Sequence, residues 1–237
     1  MITLEIMGKS LLLFFCIYAI LPQIITSTFG FGVFRQADTK CEVAFTFDDG
    51  PDKGYTPRLL DLLKEYNVKA TFFVLGVKAE KFPELILRIH QEGHLIGIHN
   101  YDHWANSLMT PWKVRGQINR SATIIEKITG KRPVYYRPPW GLMNVFDFIL
   151  HKKLRIVMWS LMVGDWRSRG GKERIRTKLL KSVKAGDVIV LHDSGDTIGA
   201  EKSAPLHMIE ALEEVLKEVV KQGYRFVRID EMIDLDG

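Results

Sequence analysis

The chain has 237 residues, of which 46% are hydrophobic, and a formal net charge of +5 at pH 7. This length and composition suffice for one α/β domain with a sizeable core. The Lys and Arg residues form no long run, which argues against a nucleic-acid-binding arm. The positive charge therefore indicates either an ordinary basic surface or attraction to a polyanion such as a cell-wall polymer.

The first 35 residues are mostly apolar and precede the first predicted strand. An uninterrupted apolar run covers residues 11–21, and apolar or small residues resume after Gln23 and continue to Phe34. The first run has the length of a signal-peptide core, whereas residues 11–34 together could span a bilayer. The lack of a clear small-residue cleavage site favours an uncleaved anchor over a cleaved signal. Both interpretations place residues 36–237 outside the cytoplasm, as one domain.

From Cys41 onward, short apolar runs alternate with helical patterns. Strands are predicted at residues 42–47, 70–75, 95–99, 134–137, 155–160, 187–192 and 225–229. Helices are predicted at residues 56–66, 83–92, 110–129, 144–152, 172–184 and 205–222, and residues 230–235 close the fold. This alternation predicts a mostly parallel sheet, either open and doubly wound or closed into a barrel.

Polar side chains at the ends of the predicted strands favour the barrel. They are Asp48 and Asp49 after the first strand, His99 after the third, Arg137 after the fourth, Asp165 and Trp166 after the fifth, and His192 after the sixth. In α/β barrels the carboxyl ends of the strands form the rim of the active site. These side chains are therefore expected to lie around one site.

The adjacent carboxylates of Asp48 and Asp49 are the strongest of these signals. Neighbouring side chains on a strand point to opposite faces, but the Gly50-Pro51 turn ends the strand and lets both face one site. Two carboxylates that lie this close repel each other, so they need a metal, a cation or a shared proton.

The histidines at positions 99 and 103 could supply metal ligands. If the segment after His99 forms a helical turn, the spacing of four residues puts both imidazoles on one face. Such pairs often occur by chance. Together with one carboxylate, however, they form a three-ligand set with open positions, which suits a catalytic zinc. The other aspartate could then act as a general base.

Four motifs in this order resemble those of the polysaccharide deacetylase family, the NodB-homology type of carbohydrate esterase. They are Thr46-Phe47-Asp48-Asp49-Gly50, His99-x-x-x-His103, Arg137-Pro138-Pro139-Trp140-Gly141 and Leu191-His192. The resemblance covers approximately residues 41–234. It implies an α/β fold, a distorted (β/α)7 barrel, and metal-dependent removal of acetyl groups from N-acetylated sugars.

The resemblance also implies roles for individual residues. Asp48 corresponds to the general base and His192 to the general acid, while Arg137 would orient Asp48 and hold it ionised. The metal ligands would be Asp49, His99 and His103, with Zn²⁺ as the expected ion and Co²⁺, Mn²⁺ or Ni²⁺ as alternatives. Substrate contacts are expected from Trp140, Trp166 and a backbone N–H near Tyr55.

One position departs from the family pattern. The fourth motif usually has an aspartate four residues before the tryptophan, where it pairs with the catalytic histidine, but this chain has Met162 there. We therefore expect His192 to be less readily protonated and less firmly oriented. Asp165 is an alternative partner at a different position.

The expected substrate is an N-acetylated polysaccharide that contains N-acetylglucosamine or N-acetylmuramic acid. Peptidoglycan is preferred, with chitin-like oligomers next, and an anchored enzyme would face the wall from the membrane. Two alternatives remain open: a catalytically weak carbohydrate-binding protein, for which Met162 is the supporting feature, and a metal-dependent hydrolase of non-sugar amides on the same scaffold.

Overall fold

A computed structural model of the protein describes residues 2–150 and 153–236. In these segments the strands are β1 (Glu42–Asp48), β2 (Thr71–Val74), β3 (Leu95–Ile98), β4 (Tyr135–Tyr136), β5 (Arg155–Ile156), β6 (Leu161–Met162), β7 (Val188–His192) and β8 (Arg225–Phe226). The helices are α1 (Ile2–Phe15), α2 (Leu21–Phe29), α3 (Thr56–Glu65), α4 (Gly76–Lys81), α5 (Pro83–Gln91), α6 (Pro111–Thr129), α7 (Asp147–Leu150), α8 (Gly171–Ser182), α9 (Ala204–Lys221) and α10 (Ile229–Asp236).

The strands form one curled parallel sheet in the order β5-β4-β3-β2-β1-β7-β6, and β8 pairs with the start of β1. The register of β1 and β7 places Asp48 directly beside His192. Because the ladders are parallel, the carboxyl ends of β1, β3 and β7 lie at the same edge of the sheet. The predicted distorted α/β barrel is confirmed.

The predicted strand at residues 155–160 is not continuous. Its first half pairs with β4, where Val157 N donates to Tyr136 O at 2.8 Å. Its second half crosses to the other edge of the sheet, where Ser160 N donates to Val188 O at 3.0 Å and β6 pairs with β7. The segment runs from one edge of the curled sheet, at β4, to the other edge, at β7. It therefore forms two short strands instead of one continuous strand.

The two faces of β1 bury different sets of side chains. Phe45 and Phe47 belong to the large cluster formed with the surrounding helices, whereas Ala44 packs with Phe73 and Met232 on the opposite, inner face. Thr46 and Asp48 alternate with Phe45 and Phe47 along the strand and therefore share the inner face with Ala44. This alternation places the Asp48 side chain at the open end of the barrel.

The N-terminal segment is a long apolar helix with one irregular stretch. Residues Cys16–Ile20 form a π-helical turn between α1 and α2, and the stretch Glu5–Phe29 has a mean hydropathy of 1.9 with little burial. The backbone carbonyl of Tyr18 accepts the N–H of Val145 at 2.9 Å. By length and composition this helix could cross a membrane, but signal sequences have the same features, so its role stays a prediction.

Two further differences concern helices. The predicted helix at residues 144–152 begins only at Asp147, because Asn144 N and Asn106 Nδ2 both donate to the Asp147 carboxylate and hold the preceding turn. Residues 151–152 lie outside the described residues. Residues 76–81, for which the sequence pattern predicts no element, form α4.

Candidate active site

Asp48 and Asp49 both line one cleft at the carboxyl edge of the sheet. Asp48 is the last residue of β1, and Asp49 follows it with a φ of 75°. This left-handed conformation is uncommon for a residue with a side chain, and it breaks the alternation of the strand. Both carboxylates are 3% exposed, so neither is solvated as a surface aspartate would be.

Asp49 lies against the two predicted histidines. Its Oδ1 is 3.3 Å from His99 Nε2 and 3.1 Å from His103 Nε2. The candidate ligand atoms of these three residues all lie within 4.8 Å of one another. The structure thus brings the predicted ligand set together.

The segment after His99 does not form the helical turn that the spacing of the two histidines left open. Residues 99–103 form an irregular loop in which Asn100 has a φ of 63°, a conformation that a right-handed helix cannot contain. The Asn100 side chain donates to Trp104 O at 3.1 Å and to Asn106 Oδ1 at 2.9 Å. Tyr136, fully buried below the loop, donates to Asn100 Oδ1 at 2.9 Å. This buried network holds the loop in the shape that aims both imidazoles at Asp49.

The protonation pattern of these groups fits a cation between them. His99 Nδ1 lies 2.7 Å from the carbonyl oxygen of Arg137, which can only accept, so the neutral ring carries its proton on Nδ1. Its Nε2 lone pair then faces Asp49 Oδ1, a buried oxygen without a well-aligned hydrogen bond. Two electron-rich atoms at this distance repel unless a cation or a proton lies between them. Two imidazole nitrogens and one carboxylate oxygen are a donor set that suits zinc.

The charge state of Asp49 agrees with this arrangement. Burial raises the pKa of Asp49. When protons rather than a cation lie between the groups, hydrogen bonds from His103 and His99, with the charge of His192, lower this pKa by more. The pKa of this carboxyl therefore lies well below its usual range, and Asp49 is an ionised candidate ligand.

Arg137 is buried completely and holds Asp48. Its Nη1 donates to Asp48 Oδ1 and to Thr46 Oγ1, both at 2.7 Å. The remaining guanidinium nitrogens donate to the carbonyls of Val157 and Met158 at 3.0 Å and 2.8 Å. Each of the three guanidinium nitrogens thus has an acceptor, so the guanidinium that contacts the Asp48 carboxylate is fixed in orientation.

His192 has a carboxylate partner, contrary to the expectation from Met162. Asp165 Oδ1 lies 3.1 Å from His192 Nδ1, and Asp165 Oδ2 accepts the backbone N–H of His192 at 2.7 Å. Burial lowers the pKa of His192, but the charge and hydrogen bond of Asp165, with the charges of Asp49 and Asp48, raise it to about 10. The expectation of a poorly protonated, loosely held His192 is therefore wrong, because Asp165 reaches the ring from the loop after β6.

Aromatic side chains form walls of the cleft, which has a volume of about 380 Å³. The ring of Trp140 lies 4.1 Å from that of His103 between centroids, and the ring of Trp166 lies 5.4 Å from that of His192. Met162 lines the same cleft.

The structure does not bring Tyr55 into this cleft. Its backbone N–H donates to Asp52 Oδ1 at 3.1 Å, and its hydroxyl donates to Lys202 O at 2.9 Å. Both donors of Tyr55 therefore already have partners elsewhere, and the predicted oxyanion contact has no free donor at this residue.

Comparisons with known proteins agree with the fold and show the family to which the chain is similar. Residues 35–149 match the sequence profile of the family described as polysaccharide deacetylase. A peptidoglycan-N-acetylglucosamine deacetylase of Bacillus cereus is 38% identical over 195 residues, which cover 81% of this chain and 68% of that protein. The peptidoglycan-N-acetylmuramic acid deacetylase PdaC of Bacillus subtilis is 34% identical over 80% of this chain and 38% of its own length.

Solved structures show the same architecture. The crystal structure of the Bc1960 peptidoglycan N-acetylglucosamine deacetylase superposes with a TM-score of 0.77, at 36% identity, and the match covers 84% of this chain and 91% of that one. The structure of Bacillus subtilis PdaA, a family 4 carbohydrate esterase, also gives a TM-score of 0.77, at 30% identity over 92% of this chain and 90% of that one.

Proposed function

The chain belongs to the polysaccharide deacetylase family, and we propose that it removes N-acetyl groups from peptidoglycan in a metal-dependent hydrolysis. One observation carries the proposal. A single cleft holds an Asp-His-His ligand set, an aspartate fixed by a buried arginine, and an imidazole paired with a second carboxylate. Amide hydrolysis needs these three functions: an electrophilic centre, a base and an acid.

In this proposal Asp49, His99 and His103 hold the metal. A divalent cation bound there would polarise the acetamide carbonyl and lower the pKa of a water. The three donors leave open positions for water and substrate, as a catalytic site requires.

Asp48 is the proposed general base. Its Oδ1 is occupied by Arg137 at 2.7 Å, which fixes the carboxylate plane. Asp48 accepts the proton of the attacking water, and the new C–O bond forms at the acetamide carbon. The Arg137 guanidinium stays in place throughout, because it is also held by two backbone carbonyls.

His192 is the proposed general acid. Its Nδ1 is engaged by Asp165, so the proton available to substrate is the one on Nε2. Donation of this proton to the amide nitrogen lets the C–N bond break and releases the sugar amine and acetate. Trp140 and Trp166 flank these groups and would bind the apolar faces of sugar rings.

The position of Arg167 favours an anionic glycan over a neutral one as the substrate. It lies in the cleft lining next to Trp166, with its guanidinium 6.0 Å from the ring centroid. Among the described residues it takes part in no ion pair, so its charge is available to a ligand. Peptidoglycan carries carboxylates on its lactyl and peptide substituents, whereas chitin oligomers carry none. The basic net charge of the chain favours the same choice.

The proposed location is the outer face of a membrane. Residues 1–35 would form an anchor or a signal, and residues 36–237 the catalytic domain. The apolar helix Glu5–Phe29 supports a membrane-directed segment, and the names of the relatives place their substrate in the cell wall.

The alternative of a weak carbohydrate-binding protein has lost its supporting feature. It depended on Met162 depriving His192 of a partner, and Asp165 supplies that partner. No contact in the described residues favours a non-sugar amide over a glycan.

Acetate release by the full chain in detergent tests the proposal. Peptidoglycan and chitin oligomers are each supplied with Zn²⁺, with Co²⁺ and with chelator. We expect metal-dependent release that disappears in Asp48→Asn and persists in Asp61→Asn, a surface aspartate paired with Arg88. An Arg167→Gln variant should lose activity on peptidoglycan more than on chitin oligomers. Absence of release from both polymers by metal-loaded protein would contradict the proposal.

A further inference from the structure

The second carboxylate oxygen of Asp49 has a partner that the sequence did not indicate. Thr197 Oγ1 donates a hydrogen bond to Asp49 Oδ2 at 2.6 Å. The other oxygen, Oδ1, faces the two histidines. The two oxygens of this carboxylate thus have separate surroundings, one directed to the ligand set and one held by a hydroxyl.

We infer that Thr197 is a positioning residue that holds Asp49 as a one-oxygen ligand and thereby sets the affinity of the site for a divalent cation. The inference rests on the proposed metal site and adds a determinant outside the ligand set. A hydrogen bond to Oδ2 fixes the rotation of the carboxylate about its Cβ–Cγ bond. Rotation would otherwise bring both oxygens, or neither, toward the imidazoles.

The loop that carries Thr197 is anchored directly before it. Lys78 on α4 is 9% exposed, and its Nζ donates to Ser194 Oγ at 2.6 Å and forms an ion pair with Asp196. Ser194 Oγ in turn donates to Asp196 Oδ1 at 2.7 Å. The residue immediately before Thr197 is therefore fixed to a helix of the barrel.

The same loop is also tied down after Thr197. Glu201 N donates to Trp166 O at 3.0 Å, and the Glu201 carboxylate accepts the backbone N–H of Ser168 at 3.1 Å. With the loop held on both sides, the position of the Thr197 hydroxyl is set by the fold, and its contact with Asp49 does not depend on a freely moving surface segment.

The hydrogen bond between Thr197 and Asp49 is of a kind that can affect metal binding measurably. A short hydroxyl-to-carboxylate hydrogen bond is charge-assisted and stronger than one between neutral groups. Asp49 is 3% exposed, so water cannot readily replace the lost donor. Loss of a hydrogen bond that orients a metal ligand typically weakens metal binding by about 10- to 100-fold.

The test measures zinc affinity without any glycan. The metal-free full chain in detergent competes with a chromogenic chelator for Zn²⁺, as wild type and as Thr197→Val, Thr197→Ser and Ser203→Ala. Valine has nearly the shape of threonine but no hydroxyl, serine restores the hydroxyl, and Ser203→Ala removes a hydroxyl from the same loop away from Asp49. Thermal unfolding of the metal-free proteins verifies that each variant is folded.

We expect Thr197→Val to weaken zinc binding by about 10- to 100-fold. Thr197→Ser should restore most of the affinity, and Ser203→Ala should bind zinc as the wild type does. Wild-type affinity in Thr197→Val, or equal losses in the valine and serine variants, would overturn the inference. Wild-type protein that binds zinc with the expected dependence on Thr197 but releases no acetate would contradict the proposed function and leave this inference standing.

Discussion

Replacement of Asp165 by asparagine is expected to move the alkaline limb of the pH–rate profile to lower pH. Asp165 contacts both the Nδ1 and the backbone N–H of His192, at 3.1 Å and 2.7 Å. Burial lowers the pKa of His192, but the charge of Asp165 and those of Asp49 and Asp48 raise it to about 10. As the proposed general acid, His192 must carry its proton, so we expect activity to fall as the pH rises through this pKa.

The size of the shift follows from the contact. Unit charges 3.1 Å apart interact by about 5 kcal/mol at an effective dielectric constant of about 20, which corresponds to about 4 pKa units as an upper bound. Opposite charges at such distances usually shift a pKa by about 1–3 units. In the variant, the amide oxygen can keep the backbone hydrogen bond while the NH₂ group faces Nδ1 and favours a neutral ring. We therefore expect the alkaline limb to move down by about 1–3 pH units.

The assay is kcat/KM for acetate release from a soluble chitin oligomer at fixed zinc, across the neutral and alkaline range. A cation at Asp49 offsets part of the negative charge near His192 in both proteins, so the difference between the two profiles is the quantity of interest. Asp61→Asn is the matched control, because it removes a surface carboxylate that pairs with Arg88 and does not contact His192. An Asp165→Asn profile that coincides with the wild-type profile would refute the role of Asp165 and, with it, that of His192 as the acid.

Three further predictions concern stability and metal binding. Arg137→Met leaves Asp48 buried without its cation, so we expect the free energy of unfolding, measured with urea, to fall by about 3–5 kcal/mol. Wild-type stability of this variant would show that the Arg137–Asp48 ion pair is not maintained in the folded protein. Gly50→Ala would place a Cβ 2.3 Å from both carboxylate oxygens of the buried Asp193, and a cost of about 1–3 kcal/mol should lower the Tm; an unchanged Tm would mean that Asp193 moves away freely. Zinc at about 100 times its Kd should raise the free energy of unfolding of the metal-free chain by about 2.7 kcal/mol, which a rise in Tm would report. An unchanged Tm would argue against a zinc site in the folded protein.

The positions of the site residues at strand ends were predictable from sequence. Asp48 and His192 each end a short apolar run, and in a parallel sheet such ends meet at one edge, where the two residues are register partners. His99 follows β3 by the same logic. The sequence pattern therefore predicted which residues belong to the site and that they meet at the carboxyl edge of the sheet.

The contacts between these residues were not predictable, because they depend on loop conformations. Asp165 reaches His192 only after the chain turns at Gly164, which has a φ of 74°. The loop between His99 and His103 is set by Asn100 and its buried partners, where the spacing alone suggested a helical turn. Thr197 meets Asp49 through anchors that lie far away in sequence. Periodicity contains no information about such turns.

The most direct test of the account is a titration of the metal-free full chain with Zn²⁺, in which acetate release from a chitin oligomer is measured at each addition. The ligand set of Asp49, His99 and His103 forms one candidate site in the described residues. We therefore expect that activity starts near zero, rises linearly and stops rising at one equivalent of zinc per chain. Full activity in the metal-free protein, or none after one equivalent is bound, would contradict it.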